Sequence, residues 1–212
     1  MDIKYKLIKN FGPSIFAAKI PDDVMTKLNK YVDQTIENQK KSKELDYGEN
    51  LVGDVTQEIK IDKNTIQDSG WLNFLGTCAK KWIELETNKK ITKFNLKQTW
   101  VVRQFKNEYN PIHWHSGHIS GAGFLKIPKS FGDFTQKKQN KNYCGGHLEL
   151  IHGSRMFLSS SKFEIIPQVG DFYFFPNYLM HTVYPFKDTD EERRSISFNA
   201  TIDDSIYNVY GN

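Results

Sequence analysis

Apolar positions follow a helical period in the first part of the chain and a strand period in the rest. Residues 3–20, IKYKLIKNFGPSIFAAKI, read as extended segments broken at Gly12-Pro13. Pro21-Asp22-Asp23 then carries the marks of a helix start, because proline suits the first turn and acids stabilise the positive end of the helix dipole. Val24, Met25, Leu28, Tyr31, Val32 and Ile36 follow at helical spacing, and the helix is expected to fray into QKKSKELD. A second amphipathic helix is predicted from Asp68-Ser69, with Trp71, Leu72, Leu75, Cys78, Ala79, Trp82 and Ile83 along one stripe. Both stripes suit the covering of a sheet better than the binding of a ligand.

Beyond residue 91 the period changes. The runs ITKFNLKQTWVVRQF, SGAGFLKIP, HLELI, KFEII, DFYFF, HTVYPF and RRSISFNATI are separated by Gly, Pro and Asn clusters, the pattern of an antiparallel sandwich or barrel. The expected fold is therefore mainly β with N-terminal helices (α+β), a jelly-roll core with two helices packed on one outer face. The expected organisation is a single domain over 1–212. Residues 1–90 supply N-terminal strands and supporting helices, and 91–202 supply the β core. The segment 128–146, PKSFGDFTQKKQNKNYCGG, is a long polar excursion of the kind found in lids or in disordered connections.

Composition narrows the classes. With 14% aromatic and 25% charged residues, 212 residues should fold around a real core. The net charge of +4 comes mainly from scattered lysines and falls short of a nucleic-acid footprint, so such a partner is possible but not indicated. The two cysteines, Cys78 and Cys144, fit no zinc pattern and are expected to be reduced thiols. MDIKYKLIKN lacks a continuous apolar run, so no signal peptide is expected, and no run reaches the roughly 18–20 apolar residues that span a bilayer. A cytoplasmic protein without a membrane partner is the expectation.

Chemistry concentrates in HWHSGH, residues 113–118, which holds three of the six histidines. Imidazole is the commonest metal ligand. On a strand, His113 and His115 point to one face and Trp114 to the other. They make half a metal site, and the best third ligand is His181, which starts a strand after GDFYFFPNYLM. A turn at Ser116-Gly117 brings His118 nearby as a spare.

In RRSISFN, alternation puts Arg193, Ser195 and Ser197 on one face and Arg194, Ile196 and Phe198 on the other. Ile196 and Phe198 should face the layer beneath the helices, so Arg193 and Ser195 face the interior that the histidines occupy. A buried arginine needs an anion. No acid shares that strand face, and guanidinium with hydroxyl matches a bound carboxylate.

Taken in order, HxH, GDFYFFPNYLMH and R-x-S resemble the iron(II)/2-oxoglutarate-dependent dioxygenases, whose core is a double-stranded β-helix. The likeness is to bacterial and phage oxygenase-like proteins, is carried by His113, His115, Ser120-Gly121 and Phe124-Leu125, and covers roughly residues 95–202. It implies that His113, His115 and His181 are the catalytic iron ligands. Arg193 and Ser195 would grip the distal carboxylate of 2-oxoglutarate. Iron(II) would be the cofactor, with 2-oxoglutarate and O2 as co-substrates. Oxidative decarboxylation to succinate and carbon dioxide would drive hydroxylation or oxidative demethylation of a prime substrate that the sequence does not identify.

Two positions depart from the family pattern. His115 stands where a carboxylate ligand is usual, which leaves three neutral ligands and could favour another metal; His118 and Glu149 are alternatives for that ligand. Phe124 stands where related enzymes often carry a tyrosine, with Lys126, Tyr109 and Gln104 as possible substitutes. His147 and Glu149 read as solvated or supporting residues, His152 as an exposed turn residue, and Trp100 and Trp114 as packing residues. The rival readings are a cupin-like three-histidine metalloenzyme that does not use 2-oxoglutarate, and a non-enzymatic jelly-roll binding module.

Overall fold

The computed structural model describes residues 3–8, 12–132 and 143–208. Strands β1 (Tyr5–Ile8) and β2 (Ile15–Lys19) flank the Gly12-Pro13 break and pair antiparallel. Helix α1 (Asp22–Glu37) buries Val24, Leu28, Tyr31 and Val32, as its period predicts. It does not fray into QKKSKELD. Asn38 ends it, and its side chain accepts the Lys41 N–H at 3.0 Å to start a second helix, α2 (Gln39–Glu44).

The next stretch carries two elements for which the pattern predicts nothing, β3 (Gln57–Lys60) and the short α3 (Lys63–Asp68). Helix α4 (Trp71–Thr87) starts later than Asp68-Ser69, because Gly70 takes a left-handed φ of 84° and separates it from α3.

The β-rich body follows as β4 (Phe94–Gln104), β5 (Asn110–His113), β6 (Ile119–Lys126), β7 (Leu148–Ile151), β8 (Lys162–Ile165), β9 (Asp171–Pro176), β10 (Met180–Val183) and β11 (Arg193–Ile202), closed by the helical turn α5 (Asp204–Tyr207). Two sheets result. The large one has seven strands in the order β1-β2-β9-β6-β11-β4-β3, and the small one has four, β5-β10-β7-β8. Residues 133–142 of the polar 128–146 segment lie outside the described residues, and so does the test of that segment as a lid.

Two apolar layers hold these parts together. One lies between the helices and the outer face of the large sheet, where Trp71, Phe74, Leu75 and Trp82 meet Phe172, Phe174, Ile196 and Phe198. Its two buried indoles are satisfied: Trp71 Nε1–H donates to Thr99 Oγ1 at 3.1 Å and Trp82 Nε1–H to Ser14 Oγ at 2.9 Å. The other layer lies between the sheets, from Ile15, Phe124, Leu148, Leu150, Phe175 and Val183. The polar face of β11 therefore has only the inter-sheet space to enter. Gly123 permits this packing, since a Cβ there would stand 2.3 Å from Phe172 Cδ2. Among the described residues no helix is long and apolar enough to cross a membrane.

Candidate active site

His113 ends β5 and lies opposite His181 of β10 in the antiparallel register, which aligns the two rings. His115 lies just past the end of β5, so strand alternation alone does not orient it. Its backbone N–H donates to the Asn177 carbonyl at 3.0 Å, and the Asn177 amide donates back to the His115 carbonyl at 3.1 Å. Gly117 allows the turn that follows, with φ of 101°. The ring centroids lie 5.0 Å apart for His113 and His115, 4.2 Å for His113 and His181, and 4.8 Å for His115 and His181.

The hydrogen bonds decide which nitrogens can bind an ion. His113 Nδ1 lies 2.7 Å from the Pro111 carbonyl oxygen and His181 Nδ1 lies 3.0 Å from that of Leu179. A carbonyl only accepts, so both Nδ1 atoms carry the proton and both Nε2 lone pairs are left for the centre. His115 Nε2 and His181 Nε2 are 3.0 Å apart. Two nitrogens at right angles and about 2.1 Å from one ion would be about 3.0 Å apart. One ligand atom from each ring falls within a 4.8 Å cluster. Burial lowers all three pKa values, that of His115 to about 3, so the rings are neutral at pH 7 and their lone pairs available.

A cavity of about 220 Å³ opens from these rings between the two sheets, and Trp100, Val102, Arg193, Ser195 and Ser197 line it from the large sheet. Arg193 is 1% exposed. Its Nε–H donates to the Gly146 carbonyl at 2.9 Å, one NH group donates to Ser195 Oγ at 3.1 Å, and its guanidinium lies over the Phe124 ring at 5.2 Å. No carboxylate of the described residues balances it, and burial alone draws its pKa down to about 9. A buried cation facing a cavity without an anion fits a carboxylate-bearing ligand.

The remaining sequence candidates lie elsewhere. His118 Nδ1 accepts the Ile202 N–H at 3.1 Å, and its ring stacks on Tyr207 at 3.8 Å, so it holds α5. Glu149 points to the other side of β7, where Lys162 Nζ donates to it at 2.6 Å. His147 Nδ1 meets Glu164 at 2.6 Å. None of Lys126, Tyr109 and Gln104 lines the cavity: Lys126 pairs with Glu192 at 3.5 Å, Tyr109 is 40% exposed, and Gln104 donates to the Glu108 carbonyl. Trp114 is 65% exposed at the cavity and is not a packing residue. Glu58, Asn50, Leu51, Val52 and Asn110 also line the cavity and drew no notice in the sequence. The period-2 pattern of Gln57-Glu58-Ile59-Lys60 was the one available signal, too short to read without its sheet.

A family model described as "Putative 2OG-Fe(II) oxygenase" matches residues 98–199, which carry all five site candidates. No curated protein sequence matches the chain. Among solved structures, a Pseudomonas putida prolyl-4-hydroxylase superimposes with a TM-score of 0.59 at 16% identity, covering 89% of this chain and 92% of that one. A viral collagen prolyl hydroxylase from Paramecium Bursaria Chlorella virus-1, in complex with 2OG, gives 0.52 at 15% identity, covering 87% and 94%. A Trichoplax adhaerens prolyl hydroxylase, bound to a fragment of hypoxia inducible factor, gives 0.52 at 14% identity, covering 98% and 87%. At these identities the likeness is one of fold.

Proposed function

We propose that this chain is a 2OG-Fe(II) oxygenase, an oxidoreductase with iron(II) as cofactor and 2-oxoglutarate as co-substrate, since residues 98–199 match that family's model, and that it hydroxylates a C–H bond of a prime substrate bound beside His113, His115 and His181. The two sheets are read as the major and minor sheets of a double-stranded β-helix, with 91–202 as its core and residues 1–90 as support within one domain.

In this reading the three histidines hold the iron through Nε2, and Arg193 with Ser195 holds the distal carboxylate of 2-oxoglutarate. One observation carries it: an unbalanced, buried Arg193 lines the same cavity as three rings whose free lone pairs converge. 2-Oxoglutarate bears a carboxylate at each end, one suited to the ion and one to Arg193. Bound iron with 2-oxoglutarate and O2 supplies the oxidising chemistry. The protein positions the co-substrate, holds the His113 and His181 tautomers through the Pro111 and Leu179 carbonyls, and excludes water with Leu148, Val102 and Val183. Demethylation starts from the same hydroxylation, at a methyl carbon on nitrogen, so the site serves both outcomes.

Anaerobic titration of the full chain with iron(II) and 2-oxoglutarate tests the reading. A visible charge-transfer absorption is expected that needs both additions and vanishes in Arg193→Ala. The three-histidine donor set, with no carboxylate in it, supports a second reading as a metalloenzyme that does not use 2-oxoglutarate. Metal binding with no response to 2-oxoglutarate would select that one.

A further inference from the structure

Glu58 is a buried acid without a structural partner. It is 2% exposed, and its Oε2 is sealed from solvent with no hydrogen-bond partner among the described residues. Asp46 is the charged group that acts on it most, and it repels. A carboxyl in such a place costs stability and asks for an explanation.

Strand register supplies its position. Ile59 enters the apolar layer under the helices, so Glu58 faces the inter-sheet side. Glu58 lies opposite Val102 of β4, and Val102 lies opposite Ser195 of β11. At the usual strand spacing, Glu58 is therefore about 10 Å across the sheet from Ser195. Among the described cavity residues Glu58 is the one acid and Arg193 the one strong base. The cavity has a basic end at Arg193 and, two strands away, an acidic end at Glu58.

We propose that Glu58 anchors a protonated amine of the prime substrate in the part of the cavity lined by Trp100 and Trp114. An ionised carboxylate only accepts, so its complement is a donor, and Asp46 adds negative potential that selects a cation. Trp100 and Trp114 also line the cavity, and the face of an indole favours the same charge. The nearby Gln98 has its Oε1 engaged by the Tyr47 hydroxyl at 2.9 Å, which leaves the carboxylate as the stronger acceptor there. The inference rests on the reading in which Arg193 and Ser195 take 2-oxoglutarate and leave the Glu58 end to the prime substrate.

Benzylammonium, benzyl alcohol and benzoate serve as probes. Their dissociation constants are measured at pH 8 by ligand-observed NMR on the full chain with zinc(II), a redox-silent substitute for iron, and 2-oxoglutarate. Benzylammonium should bind at least tenfold more tightly than the other two, and Glu58→Gln should abolish the difference. Equal affinities in the unaltered chain, or a preference that survives Glu58→Gln, overturn the proposal. If the Gln variant does not fold, Glu58→Asp replaces it: the preference should persist there at reduced affinity, and its absence from the folded protein overturns the proposal. 2-Oxoglutarate affinity is followed in the same samples. Lost amine preference with 2-oxoglutarate still bound defeats this inference alone, whereas failure to bind 2-oxoglutarate defeats the reading beneath it.

Discussion

Arg193 and Arg194 are consecutive on β11 and face opposite sides of the large sheet into opposite electrostatic surroundings. Arg194 donates to Glu192 at 2.9 Å, to Asp33 of α1 at 2.7 Å and to Asn29 at 2.9 Å, which raises its pKa despite burial. Arg193 meets a carbonyl, a hydroxyl and the face of Phe124. One arginine ties a helix to the sheet, and the other lines the cavity with no carboxylate of the described residues to balance it.

The pair should separate on substitution. Arg194→Met breaks a buried ion pair and should destabilise the fold by about 3 kcal/mol, the low end for such a loss, because Arg103 still pairs with Glu192 at 2.8 Å. Arg193→Met removes an unbalanced buried charge and should leave the fold without 2-oxoglutarate as stable or more so. It should cost about 2 kcal/mol of 2-oxoglutarate affinity, roughly 30-fold. Urea unfolding and calorimetric titration read the two quantities. Equal destabilisation by both would make Arg193 a structural residue.

Divalent metal should stabilise the fold through the three converging rings. At a hundred times its dissociation constant, iron(II) or a substitute ion should add about 2.7 kcal/mol, reversed by a chelator. His181→Ala should eliminate the gain. His118→Ala should keep it while loosening α5, since His118 stacks on Tyr207 and accepts the Ile202 N–H. Thermal melts with and without metal decide the matter, and a gain lost equally in both variants would contradict the ligand assignment.

Glu58 predicts a pH dependence of definite sign. Burial, aided by Asp46, raises its folded pKa from 4.5 to about 7. Between these values the folded state binds more protons than the unfolded one, so the contribution is full below about 4.5 and is lost as pH rises through 7. The full effect is about 3 kcal/mol. Glu58→Gln should therefore be more stable than the unaltered chain at pH 8 and similar to it at pH 4. Denaturation at the two pH values is the check, and a Gln variant that is less stable at pH 8 would reveal a structural partner for the carboxylate.

Gly117 should resist replacement. Its φ of 101° disfavours any side chain, and a Cβ would lie 2.9 Å from the Ala200 carbonyl oxygen. Gly117→Ala should cost about 1–3 kcal/mol. Because the turn follows His115 directly, metal affinity should fall as well. A variant that keeps its metal affinity while losing stability would show that the Asn177 hydrogen bonds suffice to place His115.

By itself the sequence determined the local elements and the faces they present. Helical spacing of Val24, Leu28 and Val32, and of Trp71, Leu75 and Trp82, foretold two buried stripes, because the local period alone sets which residues share a face. Strand alternation foretold that Arg193 and Ser195 turn away from Ile196 and Phe198, for the same reason. The order of His113, His115, His181 and Arg193 carried the family resemblance. Only the tertiary structure decided which partners meet. It settled that His113 and His181 are cross-strand neighbours, that His118 and Glu149 serve other contacts, and that no candidate for the missing tyrosine reaches the cavity. It also brought Glu58 into line with Ser195 through Val102. Periodicity records what a residue does within its own element, whereas register between distant strands comes from the packing of whole faces, and no single stretch of sequence contains it.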